Sequence, residues 1–264
     1  MDNLTTCTPK ALPPDLWVPA ARMAVKVNPA NYPTSAQAAM ALAGVAPSPQ
    51  HIAVLVGKRW HTAGVRLTVG FLDNPPADLR ARILQHMNAW AKSANVQFVE
   101  TTTDPQVRIA RVDSPPEAAG YWSYIGTDIL SVPANQPTMN LQGFTMSMPE
   151  SEYCRVVRHE TGHTLGFPHE HMRQELVNDI DPQKAIAFYG ATQGWSPEYV
   201  NQQVLTPIEA VSLLGTTHAD PNSIMCYQIP GTITKDGKPI IGGVDIDEQD
   251  YTFAAAVYPK ALVG

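Results

Sequence analysis

Residues 159–171, His159-Glu160-Thr161-Gly162-His163-Thr164-Leu165-Gly166-Phe167-Pro168-His169-Glu170-His171, constrain this chain more than any other stretch. On a helix, residues four apart share a face one turn from each other, so His159 and His163 aim their imidazoles at one point, as two ligands of one metal must. Glu160 projects near that point without needing to bind there, where a general base for a metal-activated water belongs. Gly166 lets the backbone leave the helix through a conformation closed to most side chains, so that His169 can return as third ligand. Three imidazoles with a fourth position open to water are the ligand set of catalytic Zn2+. The H-E-x-x-H core alone arises by chance in roughly one such chain in a hundred, and the added glycine and third histidine lower that by about three orders of magnitude.

The thirteen residues resemble the long zinc motif of the metzincins. That resemblance implies a downstream turn with a methionine beneath the metal, and Ser223-Ile224-Met225-Cys226-Tyr227 fits it. Glu170 directly after the third histidine, and a tyrosine two residues after Met225, are similar to the astacin family, whose turn reads S-I-M-H-Y. Cys226 stands where that family carries histidine. The resemblance implies a zinc endopeptidase with His159, His163 and His169 as metal ligands and Glu160 as general base. It also makes Tyr227 a further ligand that swings away to donate to the oxyanion, and ties Glu170 through water to a new amino terminus made by propeptide removal.

At 264 residues, with 44% hydrophobic and 16% charged residues, the chain suits a soluble globular protein of one domain or two subdomains. A net charge of -6 argues against nucleic acid or an anionic membrane as partner. No stretch is long and apolar enough to span a bilayer. Met1 to Cys7 has an early acid, no base before Lys10 and no apolar run following, so it does not read as a signal peptide. Secretion is what the resemblance implies. Cys7, Cys154 and Cys226 are too few for a disulfide framework.

Residues 1–50, with Pro9, Pro13, Pro14, Pro19, Pro29, Pro33, Pro47 and Pro49, read as an extended or wrapped arm with a short helix at Ala36 to Leu42. The stretch Leu55 to Trp60 leading into Val65 to Phe71 resembles the opening of mature astacins, so the arm takes the place of a propeptide. The family's pro-segments cap the zinc with an acid or, in some relatives, a cysteine. Asp15 and Cys7 are the candidates here, and neither sits in a pro-segment motif.

Val65, Leu67, Val69 and Phe71 alternate with polar residues or glycine, which predicts a strand with one buried side. Asn74-Pro75-Pro76 opens a helix whose Leu79, Ile83, Met87 and Trp90 share a face. Val96 to Val99 and Val107 to Val112 are further strands, and the strand, helix, strand order predicts a right-handed crossover in a partly parallel sheet. Gly120 to Gly126 resembles the astacin G-C-W-S-Y segment with Tyr121 in place of cysteine. By resemblance, Met139, Asn140 and Leu141 form the edge strand whose unpaired backbone accepts an extended peptide substrate. A helix over roughly Glu150 to Phe167 follows. Asp181-Pro182, Ser196-Pro197, Thr206-Pro207 and Asp245 to Glu248 are helix starts, and Asp220-Pro221-Asn222 is a turn.

The expected fold is α+β of the zincin type. A twisted, mixed five-stranded sheet and two long helices make an upper subdomain (51–168), after an N-terminal arm (1–50). A mostly irregular and helical lower subdomain (169–264) carries the methionine turn and the C-terminal helix. A monomer acting on peptide or protein substrates is expected, with Zn2+ as cofactor. Two rival readings are a catalytically silent zinc-dependent peptide-binding module and a hydrolase of a non-peptide amide.

Overall fold

The computed structural model describes Cys7 and residues 10–33, 56–115, 118–169, 174–207, 220–226 and 228–261. The chain divides into two compact units, one of residues 1–168 with 251–264 and the other of residues 169–250. The sequence reading put the whole of 169–264 together; the chain from Tyr251 onward instead belongs with the first unit.

In the first unit, Val65, Leu67 and Val69 of β1 (Val65–Phe71) are buried on one side, as their alternation predicts. Strand β2 (Val96–Glu100) pairs with β1 in parallel register, Val65 opposite Val96 and Leu67 opposite Phe98. Between them runs α2 (Ala77–Met87), continued by a 3-10 turn at Asn88–Lys92, and Leu79, Ile83, Met87 and Trp90 are all buried. The sheet order is β2-β1-β3-β5-β4, with β3 at Val107–Ala110, β4 at Tyr121–Ser123 and β5 at Met139–Leu141. Every pairing is parallel except β4 with β5. This is the expected mixed five-stranded sheet.

The edge assignment needs correcting. Met139, Asn140 and Leu141 lie inside the sheet, bonded to β3 on one side and β4 on the other, with 0% exposure each. The antiparallel edge is Tyr121–Ser123. Asn140 works as a structural clamp: its Oδ1 accepts from Val112 N, and its Nδ2 donates to the carbonyls of Val112 and Gly120. Those side-chain bonds replace the ladder, so β3 ends at Ala110 rather than Val112.

Helix α3 covers residues 150–164 in three consecutive parts, an α turn at Glu150–Glu152, a π-helical stretch at Tyr153–Val157 and α-helix at Arg158–Thr164. It stops before the expected Phe167 because Gly166 adopts φ +94, which L side chains rarely take. Phe167 N bonds Gly162 O at 3.0 Å and Gly166 N bonds His163 O at 2.8 Å, the paired bonds of a Schellman end. Two aromatic donors hold other carbonyls of this helix end, Trp60 Nε1 on Thr164 and the Tyr258 hydroxyl on Leu165, and Trp90 Nε1 donates to the Arg158 carbonyl further up the helix.

The N-terminal arm contains a helix that the prolines conceal, α1 (Trp17–Val27). Pro19 falls in its first turn, where the amide it lacks has no intrahelical partner anyway. Ala20, Leu12 and Val132 pack with Trp17, and Ala21 and Ala24 pack with Val56. After the helix, Asn31 fastens the arm: its Nδ2 donates to Ala24 O and Arg59 O, and its Oδ1 accepts from Arg59 N. The helix expected at Ala36 to Leu42 lies outside the described residues.

The second unit is built of short helices and turns. Described are Gln174–Asp179 (α4), Pro182–Gln193 (α5) and Pro197–Val200 (α6), around Leu176, Ile180, Ala185, Tyr189, Val200, Ile229 and Ile233. Asp181 Oδ1 accepts from the amides of Gln183 and Lys184, and Ser196 Oγ from Tyr199 N, so these two of the predicted caps form, and the residues directly after Thr206-Pro207 lie outside the described ones. The final helix, α7, is Glu248–Val257. Its capping side chain is Asp247, which accepts from Asp250 N at 2.8 Å, two residues later than the sequence placed the helix start.

Candidate metal centre

The π-helical stretch delivers the chain into the α-helical turn Arg158–Thr164, where His159 and His163 sit four apart with ring centroids 4.7 Å from each other. Cys7, His159, His163 and His169 each offer one ligand atom, and those four atoms all lie within 4.8 Å of one another. All four residues are buried. The Cys7 sulfur is 3.4 Å from His163 Nε2, close to the spacing of two ligands on a tetrahedral zinc with bonds of about 2.0–2.3 Å.

The other ring nitrogen of His163 fixes its tautomer. Nδ1 lies 2.7 Å from the Phe167 carbonyl, which accepts only, so Nδ1 carries the proton and Nε2 is left with its lone pair toward the cluster. That carbonyl is in place because Gly166 turned the chain. Burial holds His163 well below the usual imidazole range, at about 4, so the ring is neutral and ligand-ready at neutral pH. The donor set, three imidazoles with a thiol, fits Zn2+.

Glu160 is 1% exposed, and its carboxylate has no well-formed hydrogen bond, the Cys7 thiol being its polar neighbour among the described residues. Burial pushes its pKa up to about 8, an effect that the Cys7 thiol partly offsets. A buried carboxylate without donors is costly, and a cation beside it is one way such a group is tolerated. Burial, followed by the charge of Glu160, raises the Cys7 thiol well above its usual value.

Cys7 also touches the sheet. It forms an isolated parallel bridge with Tyr121, and Lys10 forms another with Tyr124, so the arm runs along the edge strand β4. Asp15, the other pro-segment candidate, is exposed in the turn Pro14–Leu16 and lies outside the cluster.

The methionine turn is described through Cys226. Ser223 Oγ donates to Asp250 Oδ1 at 2.6 Å, Ile224 N donates to Asp250 Oδ2 at 2.8 Å, and Met225 N donates to Ser223 Oγ at 3.0 Å. Asp220 makes the predicted turn by accepting from Asn222 N. Asp250 was not singled out from sequence, although an acid in the first turn of the last helix was its signal. Cys226 has 0% exposure and packs with Ile229 and Ile233, which accounts for a small apolar side chain where the family has histidine. Glu170 and Tyr227 lie outside the described residues.

A mixed sheet with one antiparallel edge strand, a helix bearing paired imidazoles, a chain reversal at glycine and a third histidine define a metzincin-type fold and site. The comparisons narrow that class. The model of the Astacin peptidase family matches residues 55–241, more than half the chain, so the protein belongs to the astacin family, whose members are zinc-dependent peptidases. A solved structure of myroilysin is similar over 78% of this chain and 97% of that one, with 30% identity and a TM-score of 0.71. High choriolytic enzyme 1, a hatching enzyme zinc-protease from Oryzias latipes, shares the fold at 19% identity, with a TM-score of 0.51, over 76% of this chain and 93% of that one. Zinc metalloproteinase nas-27 of Caenorhabditis elegans is 32% identical over 139 residues, which are 50% of this chain and 28% of that protein.

Proposed function

We propose that this chain is a zinc-dependent endopeptidase held latent by its own N-terminal arm, with Cys7 standing in the position that water takes in the active form. The observation that carries this reading is the convergence of Cys7, His159, His163 and His169 beside the buried carboxylate of Glu160. His159, His163 and His169 would hold Zn2+, which supplies a Lewis acid for the scissile carbonyl and brings the pKa of water toward neutrality. Glu160 takes the proton of the attacking water and passes it to the leaving amine. Gly166 aims the third histidine. Met225, hung from Asp250 through Ser223, forms the floor of the turn that precedes Tyr227, whose hydroxyl donates to the oxyanion. Glu170 settles on the new amino terminus once the arm is removed.

The substrate in this reading is an extended peptide or protein segment that adds to the sheet at Tyr121–Ser123, the edge that Cys7 and Lys10 now cover. Occupation of that edge and of the ligand cluster by one segment supports latency: the arm blocks both the peptide's backbone partners and the metal's open position. A silent binding module would have no use for Glu160. Secretion and a monomeric state are proposed on family grounds, and no described helix is long and apolar enough to cross a membrane.

Supplied with one equivalent of zinc, full-length protein and protein cleaved between residues 48 and 52 should both hold it, and the cleaved form should degrade casein at least about tenfold faster, in a chelator-sensitive manner. Casein cleavage that is equal before and after the cut would remove the latency; cleavage that survives chelation would remove the metal mechanism.

A further inference from the structure

We propose that His86, Glu150 and Cys154 form a second metal-binding site, separate from the His159 cluster, that takes a thiophilic or borderline divalent cation such as Zn2+ or Cd2+. One imidazole nitrogen, one carboxylate oxygen and one sulfur from these residues all lie within 4.8 Å of one another. Glu150 and Cys154 are four residues apart in α3, so both side chains face the same way one turn from each other. His86 meets them from the last turn of α2. Its Nε2 is already 3.2 Å from Glu150 Oε1. Two ligands on one tetrahedral zinc stand roughly 3.3–3.8 Å apart, given bonds of about 2.0–2.3 Å, so only the sulfur has to draw in, by roughly 1 Å at most.

Preorganisation favours the site. The His86 ring is 2% exposed and held against the Tyr153 ring at 5.1 Å, so its direction is set by packing. Glu150 is 62% exposed and Cys154 half-buried, which leaves the mouth open to an entering ion. Arg82 donates to Glu150 Oε2 at 2.8 Å and so leaves Oε1 for the metal, the arrangement in which an outer partner orients a ligating carboxylate. Arg155 is engaged on Glu152 by two bonds. Two described contacts give way: the ion takes the place of the proton between His86 Nε2 and Glu150 Oε1, and Arg158 Nε leaves His86 Nδ1, long at 3.3 Å, because metal on Nε2 requires the ring proton on Nδ1. On binding, the Cys154 thiol gives its proton to solvent, and thiolate plus carboxylate balance the dication. Sulfur with imidazole selects Zn2+ or Cd2+ over Mg2+ or Ca2+. A bound ion would pin the start of the active-site helix to α2.

The experiment uses the full chain carrying Cys7→Ala and loaded with a single equivalent of zinc for the three histidines, so that no thiolate remains at the His159 cluster and the second site is left for the probe. Titration with Cd2+ should bind one equivalent with a thiolate-to-cadmium charge-transfer band in the ultraviolet. Adding Cys154→Ser should abolish the band, and Glu150→Gln, at an exposed position, should weaken binding at least about tenfold. A band that persists without Cys154, no band in the Cys7→Ala protein, or unchanged affinity in Glu150→Gln would each overturn the proposal.

Discussion

Replacing Glu160 by glutamine should lower peptide cleavage by about 10²- to 10⁴-fold while leaving zinc content unchanged, because a positioned general base is worth that much and glutamine cannot take a proton. The substitution is nearly isosteric. No bond is lost in the trimmed fold, since the carboxylate has no well-formed hydrogen bond and its neighbour Cys7 leaves with the arm. The histidine tautomers are likewise untouched, because the Nδ1 proton of His163 is held by the Phe167 carbonyl rather than by Glu160. Activity and metal content measured on one preparation, with the arm removed, therefore separate the chemical role from a structural one. Normal turnover in the glutamine variant would mean that another group accepts the proton, and a parallel loss of zinc would mean that Glu160 acts on the ligands rather than on water.

The second large effect concerns Cys7. Cys7→Ala should raise casein cleavage by the uncut chain at least about tenfold, the factor that 1.4 kcal/mol of lost contact produces. Native full-length protein, the alanine variant and the trimmed protein should rank in that order of rising activity. The variant keeps the remaining hold of the arm, namely the Lys10 bridge to Tyr124, the packing of α1 and the Asn31 bonds to Arg59, so relief at the metal alone is partial. An alanine variant no more active than the uncut native chain would place the block elsewhere on the arm.

Much of this was legible in the sequence, and for identifiable reasons. Spacing carries helix faces and metal ligands directly, so His159, His163 and the turn at Gly166 could be read without coordinates. The alternation of Val65, Leu67 and Val69 and the caps at Asp181 and Ser196 are local signals of the same kind. Sheet order is not local. Met139-Asn140-Leu141 has the pattern of a half-exposed strand, but its polar residue is buried and spends its amide on Val112 and Gly120, which no pattern within the strand reveals. Helix α1 was hidden by treating every proline as a breaker, when Pro19 occupies a first-turn position that tolerates it. Cys7 was a candidate by resemblance alone, beside Asp15: a single cysteine more than 150 residues from its partners carries no spacing signal, and the fold is what brings it to 3.4 Å from His163. Asp250 belongs with it, since its bonds to Ser223 and Ile224 join the methionine turn to a helix far along the chain.

Zinc-edge X-ray absorption on the full-length protein carrying Cys154→Ser and one equivalent of zinc, so that Cys7 is the sulfur in question, tests the central claim most directly. The account predicts three imidazole nitrogens at about 2.0–2.1 Å and one sulfur at about 2.3 Å, with the sulfur lost and a light-atom ligand gained in Cys7→Ala. Zinc with no imidazole shell, or a shell that is the same with and without Cys7, would contradict it.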